Sequence, residues 1–382
     1  MSDHPFRDRA AIVGVGATPY SKNSGVSTLT LALRAIVAAV DDAGLSLGDL
    51  DGVACHRVGD SAPASIVSES LGLHDTRFFL DQFGGGSTSH AIVGAAAMAV
   101  VTGQADHVVC WRAVNARSEF RMGGTGRPPP DQLEFQYQVP YGHATPPQQF
   151  AMIGRAYLDR YGANAEDFGA VAIAQRRYAQ LNERALMRSP LTMDDYLASR
   201  WIVEPLRLFD CCLETDAAVA VVITTTERAR HLRQVPVTVS GAVWGSGHTL
   251  FSNHRPDLAR SGAAESSRRL WEQAGVGPGD VDVAELYDAF TPLVLIQLED
   301  YGFCGPGDGA DLTRAGTLPV NTHGGHLSEG YVHGLNHLAE AVYQLRHECG
   351  DRQVADAEVA LSTGQPGYVM GSTSALVVKR AS

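Results

Sequence analysis

The chain has 382 residues and a formal charge of −12 at neutral pH, so it lacks the basic footprint that a nucleic-acid partner requires. Its 45% apolar and 19% charged content describes a folded chain, long enough for two sizeable cores. The opening residues lack an apolar secretory segment, and no apolar run reaches the roughly 18 residues of a membrane span. The six cysteines (55, 110, 211, 212, 304 and 349) form no C-x-x-C pair, so neither a structural metal nor a disulfide framework is expected, and the chain reads as cytoplasmic.

Residues 10–16 (A-A-I-V-G-V-G) read as a buried strand ending in a glycine turn. An apolar helix over 28–43 follows, closed by Gly44 at a C-cap position. The passage A-G-L-S-L-G-D-L-D-G-V at 43–53 then leads into a strand. It recurs 231 residues later as A-G-V-G-P-G-D-V-D-V at 274–283, again behind a helix (261–274) and an apolar strand (235–243). Each copy is followed by a glycine cluster, Gly84, Gly85 and Gly86 in one and Gly324 and Gly325 in the other. Helices are expected behind the clusters, at 87–103 and 332–347, and each half ends in a buried strand, at 107–111 and 374–379. Alternating strands and helices imply βαβ units and a parallel-type sheet. The boundaries are 1–230 and 231–382, with the site where the halves meet. An insertion at about 112–205, with helices near 147–161 and 166–182, interrupts the first half and reads as a lid and dimerisation segment.

Four passages resemble the thiolase superfamily across nearly the whole chain. They are G-G-G-S-T-S-H leading to G-Q-A-D (84–106), E-L-Y-D-A-F (285–290), N-T-H-G-G-H-L-S-E-G-Y-V-H-G (321–334) and S-T-G-Q-P-G-Y-V-M-G-S-T-S-A (362–375). The resemblance implies an α/β thiolase fold: two pseudo-twofold-related βαβαβαββ halves in a five-layer αβαβα arrangement. The glycines are kept, but the reactive residues are not. The nucleophilic cysteine position falls on Gly86, the Asn or His of the second motif on Tyr287, the His of the third on Tyr331, and the last catalytic position near Tyr368. Without a thiolate there is no acyl-enzyme nucleophile, so ordinary thiolysis is not expected.

W-I-V-E-P-L (201–206), D-C-C-x-E-x-D (210–216), R-x-x-N-x-R (112–117) and Y-G-x-x-T-P (141–146) narrow the match. Together with the second and third passages they resemble the thiolase-like aldolases of bacterial steroid side-chain degradation, the lipid-transfer-protein type. That resemblance implies retro-aldol cleavage of a β-hydroxyacyl-CoA, such as a 17-hydroxy steroid side-chain thioester, to a ketone and a short acyl-CoA such as propionyl-CoA. It also implies no cofactor beyond the CoA thioester substrate, a homodimer, and an OB-fold, zinc-ribbon-type accessory protein in a heterotetramer. Two other readings stand beside it: a non-catalytic acyl-CoA or sterol carrier, and a degenerate acyltransferase with Ser87 as nucleophile.

A retro-aldol reaction needs a base for the β-hydroxyl proton and an acid for the thioester enolate. The resemblance places Tyr287 and Tyr331 in those roles. Holding a phenolate at neutral pH costs about 4 kcal/mol, and His323, His326, His333 and the helix ends behind the glycine clusters are the expected donors that offset it. Asp288 is expected to orient a neighbour and His143 to line the pocket. Backbone N–H groups of Gly84 to Gly86 serve either a tight turn or an oxyanion hole. Arg112, Arg117, Arg121 and Arg127 meet CoA phosphates, a solvated face or a dimer contact, and Cys211 and Cys212 read as packing.

Overall fold

The computed structural model describes residues 4–121, 136–247, 255–368 and 371–381; Arg127 lies outside them. Nine strands form one sheet: β1 (Ala10–Ala17), β2 (Gly52–Arg57), β3 (Phe78–Phe83), β4 (Val108–Asn115), β7 (Asp216–Thr225), β8 (Val237–Gly245), β9 (Val283–Glu285), β10 (Val359–Pro366) and β11 (Thr373–Arg380). A separate hairpin joins β5 (Trp201–Val203) to β6 (Leu206–Arg207).

The sheet order is β3-β2-β4-β7-β1-β8-β11-β10-β9. Its two halves mirror one another about the antiparallel β1–β8 pair, in which Ala10 faces Val239 and Ile12 faces Val237. In each half a parallel pair (β2–β4, β9–β10) adjoins an antiparallel one (β4–β7, β10–β11). The counterpart of β3 in the second half shrinks to one parallel bridge, Ala284 to Val320.

This corrects two expectations. The sheet is mixed, because the strand that closes each half returns antiparallel to its neighbour. The closing strand of the first half is β7, beyond the insertion, whereas 107–111 belongs to β4, the equivalent of β10. The repeat itself is reproduced: α1 (Thr28–Ala43) ends at left-handed Gly44, with a 3₁₀ turn at Leu47–Asp49 before β2. In the second half α6 (Ala263–Ala274) ends at left-handed Gly275, with the turn Pro278–Asp280 before β9.

Three apolar cores separate the layers. One packs α1 and α2 (Ala64–Leu71) on an outer face of the first half. A central core holds α3 (Ser89–Val101) and α8 (Leu335–Arg346) between strand residues of both halves. A third packs α6 and α7 (Thr291–Asp300), with α4 (Pro146–Tyr161) and α5 (Ala165–Gln180) of the insertion, on the outer face of the second half. The layers therefore run helix, sheet, helix, sheet, helix. Both faces of β4 are covered: Val108 and Cys110 enter the central core, Val109 and Trp111 the outer one. That is why its sequence reads as an unbroken apolar run. Helix α3 is buried nearly all round, which explains its lack of a polar face.

The insertion occupies 116–215, because β4 continues to Asn115 and β7 begins at Asp216. Arg112 is therefore a strand residue, and its side chain is sealed in the interior, ion-paired with Asp60. It cannot reach a CoA phosphate.

Candidate active site

Strand β9 ends at Glu285, and the segment after it carries Tyr287 into the seam between the halves. The backbone of Tyr287 is clamped: its N–H donates to Thr363 Oγ1 at 2.9 Å, and its carbonyl accepts from Gln297 Nε2 at 2.7 Å. Tyr331 is held by a single hydroxyl, Thr215 Oγ1, which accepts from its N–H and donates to its carbonyl, both at 2.8 Å. The two phenol oxygens lie 2.8 Å apart. Burial pushes both hydroxyls well above the ordinary tyrosine range, and the mutual hydrogen bond offsets only part of this at Tyr287.

The ring of Tyr287 fills the space of a missing side chain. A Cβ on Gly86 would lie 2.3 Å from Tyr287 Cε2 and 2.4 Å from its hydroxyl oxygen. Glycine at the superfamily's nucleophile position is thus a steric requirement of the tyrosine opposite.

The structure separates the four candidate histidines. His333 lines the cavity, its ring 4.7 Å from that of Tyr331. His326 lies behind the phenols, 4.9 Å from the Tyr287 ring and 4.7 Å from the Tyr331 ring, and its Nε2 meets Asn336 Oδ1 at 3.1 Å. His323 is deeper, its Nδ1 3.3 Å from Glu285 Oε2 and its Nε2 3.7 Å from Glu329 Oε2. His143 is half-buried on the insertion and is not among the cavity-lining residues described. Among the described residues no imidazole hydrogen-bonds either phenol, so the expected histidine donors act at most through packing and field. The phenols instead hydrogen-bond each other.

Asp288 accepts from the N–H groups of His326 (2.9 Å) and Leu327 (3.3 Å) and faces His337 Nε2 at 2.9 Å. Burial opposes its charge, but His326 and His337 hold its carboxyl far below the usual carboxylate range. It fixes the Gly324–Gly325 turn from beneath. Gly325, at φ +62°, would place a Cβ 2.0 Å from Asp288 Oδ2. Gly324 is left-handed as well, at φ +101°.

Two residues on the other side of the seam, His56 and Asp60, had no signal in the sequence, and Arg112 was read there only as a phosphate or surface cation. His56, Asp60 and Arg112 converge on His333: Arg112 Nε donates to His333 Nδ1 at 2.9 Å, and the His56 and His333 rings meet edge-on at 5.8 Å. No motif links the three positions, which lie far apart in sequence; the pairing of β2 with β4 brings them together.

The phenols face a cavity of about 430 Å³ where the two halves meet the insertion. Its walls include Phe150, Phe209, Phe290 and Leu327, an apolar lining suited to a bulky hydrophobic ligand. Cys211 and Cys212 also line it, so they are more than packing. Burial raises both thiols far above the ordinary value, which makes them poor nucleophiles. Tyr368 is absent from the phenol pair; its hydroxyl donates to the Leu258 carbonyl at 3.0 Å. Lys22, one of only two lysines in the chain, lies on the wall with Arg117 and Arg176. Arg176 is buried, donates to Ser328 Oγ (2.9 Å) and the Ser189 carbonyl (3.1 Å), and has no carboxylate partner among the described residues.

Two repeated halves, a central pair of helices and a phenol pair at their seam define a thiolase-type fold. The comparisons agree. Residues 245–380 match the model of the thiolase C-terminal domain-like family. A 17-hydroxy-3-oxo-4-pregnene-20-carboxyl-CoA lyase of Mycobacterium tuberculosis is 44% identical over 95% of this chain and 99% of its own length. A steroid side-chain-cleaving aldolase of Thermomonospora curvata is 43% identical over 95% and 98%. The solved Ltp2-ChsH2(DUF35) aldolase superposes with a TM-score of 0.92 at 40% identity, over 98% of each chain. The chain belongs to the thiolase-like, steroid side-chain-cleaving aldolase family, and it is a carbon–carbon lyase. The carrier and acyltransferase readings fall with that assignment.

Proposed function

We propose that the chain cleaves a 17-hydroxy steroid side-chain acyl-CoA by a retro-aldol reaction, giving a 17-ketone and a short acyl-CoA such as propionyl-CoA. The observation that supports this most is the 2.8 Å contact between two buried phenols at the mouth-facing seam. Retro-aldol chemistry moves one proton from the β-hydroxyl to Cα and needs no net proton from outside. As the β-hydroxyl proton passes to one phenol, that phenol hands its own across the short bond, and the second protonates Cα. Meanwhile the Cα–Cβ electrons enter the thioester enolate and the β-carbon becomes the ketone. Burial makes a standing phenolate costly, and this shuttle through two neutral phenols avoids populating one. No cofactor enters the scheme.

The cavity's apolar walls suit a steroid nucleus. Lys22, Arg117 and Arg176, three cations without a carboxylate partner among the described residues, suit the CoA phosphates in a chain that is otherwise strongly acidic. For assembly, β3 is an open sheet edge with Phe79 and Phe83 exposed on one face (52% and 56%). Such an edge invites pairing with a second copy, so the protein is a homodimer. The solved relative is titled with a ChsH2(DUF35) component, and an equivalent OB-fold, zinc-ribbon-type partner completes a heterotetramer here.

The test is co-expression with that partner and mass detection of the short acyl-CoA released from a panel of β-hydroxyacyl-CoAs, a 17-hydroxysteroid-22-oyl-CoA among them. Tyr287→Phe and Tyr331→Phe should each lower kcat by roughly 10²- to 10⁴-fold. A complex that binds the steroid thioester without cleaving it, or two fully active variants, would remove the proposal.

A further inference from the structure

Arg112 carries only donors; a guanidinium has no lone pair to offer. Its Nε lies 2.9 Å from His333 Nδ1, so that nitrogen accepts and the imidazole proton resides on Nε2. His333 Nε2 is buried and has no hydrogen-bond partner among the described residues, although the ring lines the cavity. It points toward the glycine turn of the first half, 3.7 Å from where a Cβ on Gly85 would stand. The backbone of His333 is left-handed, φ +52°, a conformation a non-glycine residue adopts only where its surroundings impose it. A strained residue thus holds a buried, unsatisfied N–H at the cavity wall beside Tyr331.

We propose that His333 is a catalytic residue whose Nε2–H, as a neutral imidazole, donates to the thioester oxygen while the enolate forms, and that Arg112 with Asp60 is the positioning pair that sets its tautomer. This rests on the retro-aldol reading and names the group that receives the enolate charge. The groups facing the ring favour neutrality: Arg112 on β4, paired to Asp60, opposes a second charge, and His56 on β2, His326 and Tyr331 enclose the ring in a dry setting. Burial first, and Arg112 second, hold His333 well below the ordinary histidine value. Neutrality has a chemical purpose. An imidazolium would hand its proton to the enolate oxygen, whereas a neutral N–H stabilises that oxygen and leaves Cα as the site to be protonated.

The assembled complex serves for the test, with two reactions followed in parallel: steroid thioester cleavage, and exchange of the α-protons of propionyl-CoA with D2O, which forms the enolate without breaking carbon–carbon bonds. His333→Ala should slow both by about 10²- to 10³-fold, the range for a lost oxyanion donor, with KM changed less than about threefold. His333→Gln, which keeps an N–H near the Nε2 position, should recover about tenfold of that loss. The double variant Arg112→Met with Asp60→Asn removes the pair without stranding a charge. It should add a limb to the pH profile near the ordinary imidazole value of about 6.5, absent from the parent. Exchange at the parent rate in His333→Ala, or a pH profile unmoved in the double variant, overturns the proposal. A parent that exchanges α-protons but cleaves no β-hydroxyacyl-CoA overturns the retro-aldol reading and leaves the His333 assignment standing.

Discussion

Gly86 and Tyr287 occupy one volume between them, and that makes the site's chemistry a matter of exclusion. Gly86→Cys restores the superfamily's nucleophile on paper. With a Cβ 2.3 Å from the Tyr287 ring, it should expel the phenol instead. Cleavage is expected to fall at least about 10²-fold, no thiolysis to appear, and stability to drop by about 1–3 kcal/mol from overpacking. Activity and denaturation midpoints of the one variant check all three. Arg176 offers a separate handle. Losing a charge-assisted bond to a phosphate should raise KM for the acyl-CoA about tenfold in Arg176→Met, while the matching acyl-pantetheine, which has no phosphate, should be processed alike by both proteins. Equal KM changes on the two substrates would mean that Arg176 only holds Ser328 and the insertion in place. At this level the sequence was informative where a motif position changed: Tyr287, Tyr331 and Gly86 were singled out by motif resemblance, and the structure brings the three together. It was silent on His56 and Asp60 and gave Arg112 a different role, because their meeting depends on strand register.

Among the elements, β3 ends the sheet with an open edge among the described residues. Its partner β2 covers one side, and no strand covers the other among the described residues. Lysines at Phe79 and Phe83 are a device proteins use to blunt such edges. The double substitution Phe79→Lys, Phe83→Lys should leave the protein monomeric where the parent is the proposed dimer, which light scattering after size exclusion would show; a dimer that persists would place the contact elsewhere. Helices were legible from periodicity and caps: α1 spans 28–43 and ends where the Gly44 cap puts it. The sense of the strands was not. Whether β7 runs with or against β4 depends on a hundred-residue insertion returning to the sheet, and nothing within either strand encodes that.

The molecule as a whole buries neutral histidines, and this sets its response to acid. Burial lowers His56, to about 3, and His90 and His333 well below the ordinary value. Below about pH 6.5 the unfolded chain binds protons at these positions that the folded chain refuses. Stability from each is therefore complete above 6.5 and falls as pH drops toward the folded value. Between pH 7.5 and 5.5 the three together should remove about 4 kcal/mol, at roughly 1.4 kcal/mol per group. Urea midpoints at the two pH values measure it, and an unchanged midpoint would mean these rings are protonated in place. The repeat, visible as a 231-residue offset, pointed to the seam, where the two phenols meet. It could not tell that the seam runs through one continuous sheet.

The interlock of Gly86 with Tyr287 also bears on the history of the family. A lineage that has lost the side chain on one half and placed a ring there from the other cannot retrace its path one substitution at a time. A side chain regained first meets the ring, and a ring lost first leaves neither chemistry. The two positions constrain each other's future as strictly as they share space, so the change of reaction is held in place by geometry even where selection on the original activity returns.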